Sequence, residues 1–211
     1  GSGYKTRTPE ERADDLHEMF SDGSIQAVFC IRGGYGSATI LDKIDYDLIR
    51  RNPKIFLGYS DITALHLAIR KMSGMVTFHG PVMLSAFSEY TEEHFRKVLF
   101  NTEPLGELSN PDIKNNFREL YPVRTINSGI AEGVLTGGNL SLISSLMGTP
   151  YEMDTKDKIL LIEDVGEEPY RIDRMMTQLR LAGKLEEAAG IILGKCSGCD
   201  YGGVYPSRVW D

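Results

Sequence analysis

Cysteine is scarce in this chain: Cys30, Cys196 and Cys199 are the only three among 211 residues. An odd, low count excludes a disulfide framework and fits a reducing compartment. Cys196 and Cys199 have the spacing of zinc and redox pairs, but no second pair or histidine stands beside them in the sequence. They are therefore read as two loop cysteines after a strand. Histidine is thin too, with His17, His66, His79 and His94 scattered along the chain. No histidine–carboxylate set has ligand spacing, so no metal is expected. Positive charge is in deficit, 23 Lys and Arg against 30 Asp and Glu, for a net charge of -7. That leaves no basic footprint for nucleic acid. No apolar run approaches the ~20 residues that span a bilayer, and no secretory signal is visible, so no membrane partner is expected. The chain begins at Gly1 rather than Met and stops at Asp211 without an obvious terminal helix. It is read as an internal portion of a longer protein.

What is present is ordinary for a globular protein, 41% hydrophobic and 25% charged residues. The elements alternate. Residues 9–20 read as a helix, with Thr8 as N-cap, Pro9 in the first turn and Ala13, Leu16 and Phe20 on one face. Residues 25–31 read as a buried strand, 37–41 as a helix, 54–57 as a strand, 61–71 as a helix, 75–78 as a strand and 92–100 as a helix. Between residues 102 and 128 the pattern is broken by Pro104, Pro111 and Pro122. Strands then follow at 130–135, 158–162 and 191–193, with helices at 139–147 and 170–182. This rhythm predicts an α/β fold. A Rossmann-like parallel sheet forms an N-terminal domain, residues 1–108. A linker, 109–128, leads to a smaller, incomplete C-terminal α/β domain, 129–211.

Three segments could carry chemistry. In the run Leu57-Gly58-Tyr59-Ser60-Asp61-Ile62-Thr63 a strand meets a serine and a helix starts at once. That is the setting of a nucleophile elbow, with a small residue before the serine and the Asp61 N–H placed as an oxyanion donor. The second glycine of the general motif is replaced by Ile62, and a plain helix cap at Ser60 or Asp61 is the commoner role for such a heptapeptide. The run Arg32-Gly33-Gly34-Tyr35-Gly36-Ser37 also joins a strand to a helix. Its glycines let the backbone approach a ligand, as an oxyanion loop or as a simple turn; it lacks the nucleotide-binding patterns. Arg32 is placed either to pair with a substrate carboxylate or as a surface arginine. Glu163 and Asp164 end a buried strand, where open α/β sheets place their sites, and a carboxylate there can orient a histidine. His79, at a strand end, is the one local candidate for a general base, and a poor one. The other three histidines are expected on helices at the surface or half-buried.

Taken together, RGGYGS (32–37), PKIFLGYSDITAL (53–65), TFHGP (77–81), LTGGNLSLI (135–143), LLIEDVGEEPYRIDR (160–174) and IILG (191–194) resemble the serine LD-carboxypeptidases, in order and over nearly the whole chain. That family includes muramoyl-tetrapeptide carboxypeptidases and microcin-cleaving immunity peptidases. The resemblance implies a Ser-Glu-His triad in which Ser60 is the nucleophile and Glu163 orients the histidine. Gly34 and Asp61 match the oxyanion positions, with Gly33 close beside. It further implies cleavage before a C-terminal D-amino acid without metal or cofactor, a murein tetrapeptide as substrate, peptidoglycan recycling in the cytoplasm, and a homodimer. The family's histidine lies beyond the glutamate in a segment these 211 residues do not contain, so this portion alone is expected to be nearly inactive. Two alternatives stay open: a microcin-immunity-type peptidase acting on a peptidyl-nucleotide, and a noncatalytic muropeptide-binding module.

Overall fold

The computed structural model describes residues 7–111, 114–115, 118–119 and 123–200. It is an α/β structure with two three-stranded parallel sheets. The chain divides into two compact units, one of Gly1–Leu84 with Ala131–Asp211, the other Ser85–Ile130.

The first unit opens with α1, Pro9–Ser21. Thr8 and Glu11 form a reciprocal capping box, the Thr8 hydroxyl accepting from Glu11 N at 3.2 Å and Glu11 Oε2 accepting from Thr8 N at 2.8 Å. Ala13, Leu16 and Phe20 face inward, as their spacing predicts. Strand β1 (Ala27–Phe29) pairs with β2 (Ile55–Gly58), which pairs with β3 (Phe78–His79). A 3₁₀ helix, Ser37–Lys43, follows the glycine loop. The short α2, Tyr46–Arg51, is an element the sequence pattern did not reveal; Asp45 caps it and Ile49 is its one fully buried side chain. A 3₁₀ turn at Ser60–Ile62 leads into α3, Thr63–Ser73.

In the second sheet β6 (Val134–Asn139) pairs with β7 (Lys158–Val165), and β7 with β8 (Gly190–Ser197). Helices α5 (Leu140–Ser145) and α6 (Pro169–Leu181) accompany it. Gly137 and Gly138 belong to β6 rather than following it. A Cβ on Gly137 would stand 2.0 Å from the Leu161 carbonyl oxygen, at a φ of +113°, so only glycine passes there. One apolar cluster, including Phe20, Phe56, Ile69, Leu140, Leu160, Ile162 and Leu179, joins both sheets of this unit.

The cysteines correct the sequence reading. Cys196 lies on β8, not in a loop, and is joined to Cys199 in a disulfide, with both residues buried. The close C-x-x-C spacing on a turning strand end places the two α-carbons 5.6 Å apart, within bridging range.

The second unit contains α4, Glu89–Leu99, capped by Ser88, and an antiparallel pair β4 (Lys114–Asn115) with β5 (Arg118–Glu119). Phe95 packs edge-on against Phe87 and tilted against Phe100. No helix among the described residues is long and apolar enough to cross a membrane.

Candidate active site

The chemistry gathers where β2 ends. Three of its four residues, Phe56, Leu57 and Gly58, are buried, and the strand delivers the chain to Tyr59 in extended conformation. Ser60 then adopts φ +63°, one of two non-glycine residues with positive φ among those described. A left-handed serine is strained, and such strain concentrates at functional sites. It also separates the elbow from an ordinary cap: no side-chain capping bond opens the turn at Ser60. Gly58 is required for close packing, since a Cβ there would stand 3.0 Å from Ile62 side-chain carbons and 3.1 Å from Cys30 Cβ.

The glycine loop lies against the serine. A Cβ on Gly33 would stand 3.0 Å from Ser60 Cβ and 3.2 Å from its Oγ. Gly34 has φ +122°, and the exposed Arg32 folds over it, its guanidinium 3.4 Å from where a Gly34 Cβ would be. Loop and elbow are tied by Asp61, whose buried Oδ2 accepts from Ser37 N at 2.8 Å and Ser37 Oγ at 2.7 Å. The Asp61 N–H meanwhile lies in the first turn of a helix, where backbone donors have no intrahelical acceptor. The Asp61 carboxylate thus lashes the glycine loop to the turn at Ser60. The sequence reading named Asp61 for its amide and did not anticipate the carboxylate contacts to Ser37. Gly33→Ala is expected to slow phosphonylation of Ser60 by a fluorophosphonate about tenfold or more in a chain that still folds. An unchanged rate would remove the loop from the site.

The second sheet carries Glu163, the candidate acid. Glu163 pairs in register with Asn139 of β6. Against β8 the register shifts at this point: Leu193 faces Ile162 and Cys196 faces Asp164, so Gly194 and Lys195 oppose Glu163 alone. This bulge re-aims the glutamate, and a Cβ on Gly194 would stand 3.1 Å from Glu163 Cβ. Burial, with the Asp164 carboxylate adding to it, pushes the Glu163 carboxyl up to about 7, against a hydrogen bond from Asn139. Its Oε1 is buried and accepts no hydrogen bond among the described residues. His79 Nε2 is 3.9 Å away, beyond hydrogen-bond length, and burial holds His79 below its ordinary range.

Asp164 points to the other face and is buried. It accepts from Asn139 Nδ2 (2.9 Å), Ser141 N (2.9 Å), Ser141 Oγ (2.8 Å) and Val165 N (2.8 Å). The sheet reaches the elbow helix through Thr63, fully buried, whose Oγ1 accepts from Asn139 N at 3.1 Å. Gly138 makes room, since a Cβ there would meet Thr63 Oγ1 at 2.8 Å and His79 Nδ1 at 3.1 Å. Sequence reasoning missed Ser37, Thr63, Asn139 and Asp164 as supports; the adjacency of small polar residues to the glycine motifs was the signal. His66 was expected at the surface or half-buried. The residue is 6% exposed, and Nε2 lies 2.8 Å from the Gly58 carbonyl oxygen. Of the remaining arginines, Arg171 pairs with Glu167 at 3.6 Å. Among the described residues no group of three or more His, Cys, Asp or Glu is placed to hold a metal ion.

Two parallel sheets, with a serine held in left-handed backbone where a strand turns into a helix, define an α/β chain whose turn at Ser60 has the local form of a nucleophile elbow. Residues 1–80 match the LD-carboxypeptidase N-terminal domain and residues 132–209 the LD-carboxypeptidase C-terminal domain. The chain belongs to the LD-carboxypeptidase family. It is 45% identical to a probable murein peptide carboxypeptidase of Bacillus subtilis, across 98% of this chain and 61% of that protein. The microcin C7 self-immunity protein MccF of Escherichia coli is 32% identical, across 91% of this chain and 62% of that protein. Among solved structures, muramoyltetrapeptide carboxypeptidase from Oxalobacter formigenes superposes with a TM-score of 0.78 at 30% identity, over 96% of this chain and 67% of that one. MccF in complex with glutamyl sulfamoyl guanosine gives 0.84 at 29% identity, over 100% and 69%. The chain thus spans a little over three fifths of the length of the curated relatives it matches.

Proposed function

We propose that the protein carrying this chain is a serine LD-carboxypeptidase that removes the C-terminal D-alanine from murein tetrapeptides. The observation that carries the reading is the left-handed Ser60 at the elbow, backed by a glycine loop too close to admit a side chain. In the proposed reaction Ser60 Oγ attacks the carbonyl of the L-centre before the terminal D-alanine. The N–H groups of Asp61 and Gly34 receive the developing oxyanion, with Gly33 leaving the approach open. Arg32, exposed at the rim of the loop, pairs with the substrate's terminal carboxylate. Glu163 orients and stabilises the histidine that takes the Ser60 proton and passes it to the D-alanine amine as the C–N bond breaks, its open Oε1 being the acceptor for that ring; water then hydrolyses the Ser60 ester. His79 lies too far from Glu163 for that bond, so the base is assigned outside these residues. In this reading the enzyme is a cytoplasmic homodimer of peptidoglycan recycling.

A second reading has its own support in the likeness to MccF structures: the same site cleaves a peptidyl-nucleotide. Incubation of the full protein with a murein tetrapeptide, beside a Ser60→Ala control, tests the first. Release of D-alanine by the wild type alone is expected. Turnover of a peptidyl-nucleotide without tetrapeptide cleavage would establish the second. Muropeptide binding with neither reaction would leave a noncatalytic module. Activity of the isolated 211 residues, abolished by His79→Ala, would contradict the placement of the base.

A further inference from the structure

We propose that His66 is a positioning residue for the elbow: from the buried side of α3 it holds the Gly58 carbonyl, and through it the backbone that presents Ser60. The assignment rests on the reading of Ser60 as nucleophile. A carbonyl oxygen only accepts, so the 2.8 Å contact requires His66 Nε2 to carry the hydrogen. The same oxygen accepts the Gly80 N–H at 3.0 Å. The strand end two residues before the serine is therefore gripped from two sides, by the helix that follows the elbow and by the chain leaving β3. A residue with strained backbone persists only where its surroundings over-determine it, and this double grip is such a constraint.

The ring comes at a cost that packing alone would not select. His66 Nδ1 is buried and has no hydrogen-bond partner among the described residues. An apolar side chain would fill the space without that unpaired nitrogen. The ring's orientation is fixed by Phe56, edge-on at 5.6 Å, and by His79 at 6.1 Å. Burial pushes the His66 imidazole down to about 4, so the neutral, singly protonated ring persists through the neutral range.

The test compares His66→Gln and His66→Met in the full protein. Gln places an amide N–H as many bonds from Cα as His Nε2; Met has similar length and no donor. With melting temperatures alike, Met is expected to lower kcat and the rate of Ser60 phosphonylation by a fluorophosphonate about tenfold or more, with KM unchanged, whereas Gln stays within about threefold of wild type. A packing role predicts the reverse order, with Met the better substitute, and that result overturns the assignment. A wild type that takes no label at Ser60 overturns the nucleophile reading and this assignment with it; equal labelling of wild type and the Met variant overturns only the assignment. Nitrogen-15 NMR of the wild-type ring decides the case even where a variant fails to fold. A protonated Nε2 is expected, and a protonated Nδ1 with bare Nε2 contradicts it.

Discussion

Glu163→Gln is expected to make the 211-residue chain more stable at pH 8 while removing the acid the proposed reaction needs. Burial pushes this carboxyl from 4.5 up to about 7. A raised carboxyl contributes stability that is fully present below pH 4.5, and that contribution is lost as pH rises through about 7. Above that pH the folded chain carries a desolvated carboxylate next to Asp164. The neutral amide escapes this cost, which is at most about 3 kcal/mol by the usual conversion of a pKa shift. For a chain of this size that corresponds to roughly 5–10 °C in melting temperature. The gain should shrink through pH 7 and vanish below pH 4.5. His66 acts in the opposite sense: its lowered value means stability is lost as pH falls from 6.5 towards about 4. The wild-type profile therefore mixes two opposed slopes, and the difference between variant and wild type isolates the glutamate. Thermal melts of both from pH 4 to 9 check it, and a gain independent of pH would show that the carboxyl is not raised.

Asp164→Ala should be the costliest single change in the second sheet. Four donors converge on this buried carboxylate: Asn139 Nδ2, Ser141 N, Ser141 Oγ and Val165 N. Truncation strands them where water has little access, and a buried donor left without an acceptor costs about 1–3 kcal/mol. Some will find water or each other, so the expected loss is about 3–5 kcal/mol, measured as a shift in the urea midpoint at unchanged slope. Asp164→Asn, which keeps one acceptor oxygen, should lose less. A loss under about 1 kcal/mol for the alanine variant would mean that the network is not holding β6 to β7.

The elements that position the site were legible because each carries its own signal. A buried run ending at Gly58, then a serine and a helical pattern, describes a strand, a turn and a helix before any contact is known. The alternation of a strand likewise implies that Glu163 and Asp164 face opposite ways, and one is half-buried while the other is sealed. What escaped the sequence was set by tertiary contact. Gly137 and Gly138 look like a turn, yet β6 runs through them because the Leu161 carbonyl stands where a side chain would be. His66 looks like a surface histidine on a helix, yet α3 is buried along most of its length and turns the ring toward Gly58. The helix α2 was too short, with one fully buried apolar residue, to show a period. The bulge opposite Glu163 depends on pairing between strands distant in sequence, which no local pattern encodes.

The central claim is that Ser60 is the nucleophile. Mass spectrometry of the full protein after exposure to a fluorophosphonate tests it most directly. A single adduct mapped to Ser60, absent from Ser60→Ala and slowed in Glu163→Gln, is the predicted result. No adduct, or one on another serine that survives Ser60→Ala, would contradict it.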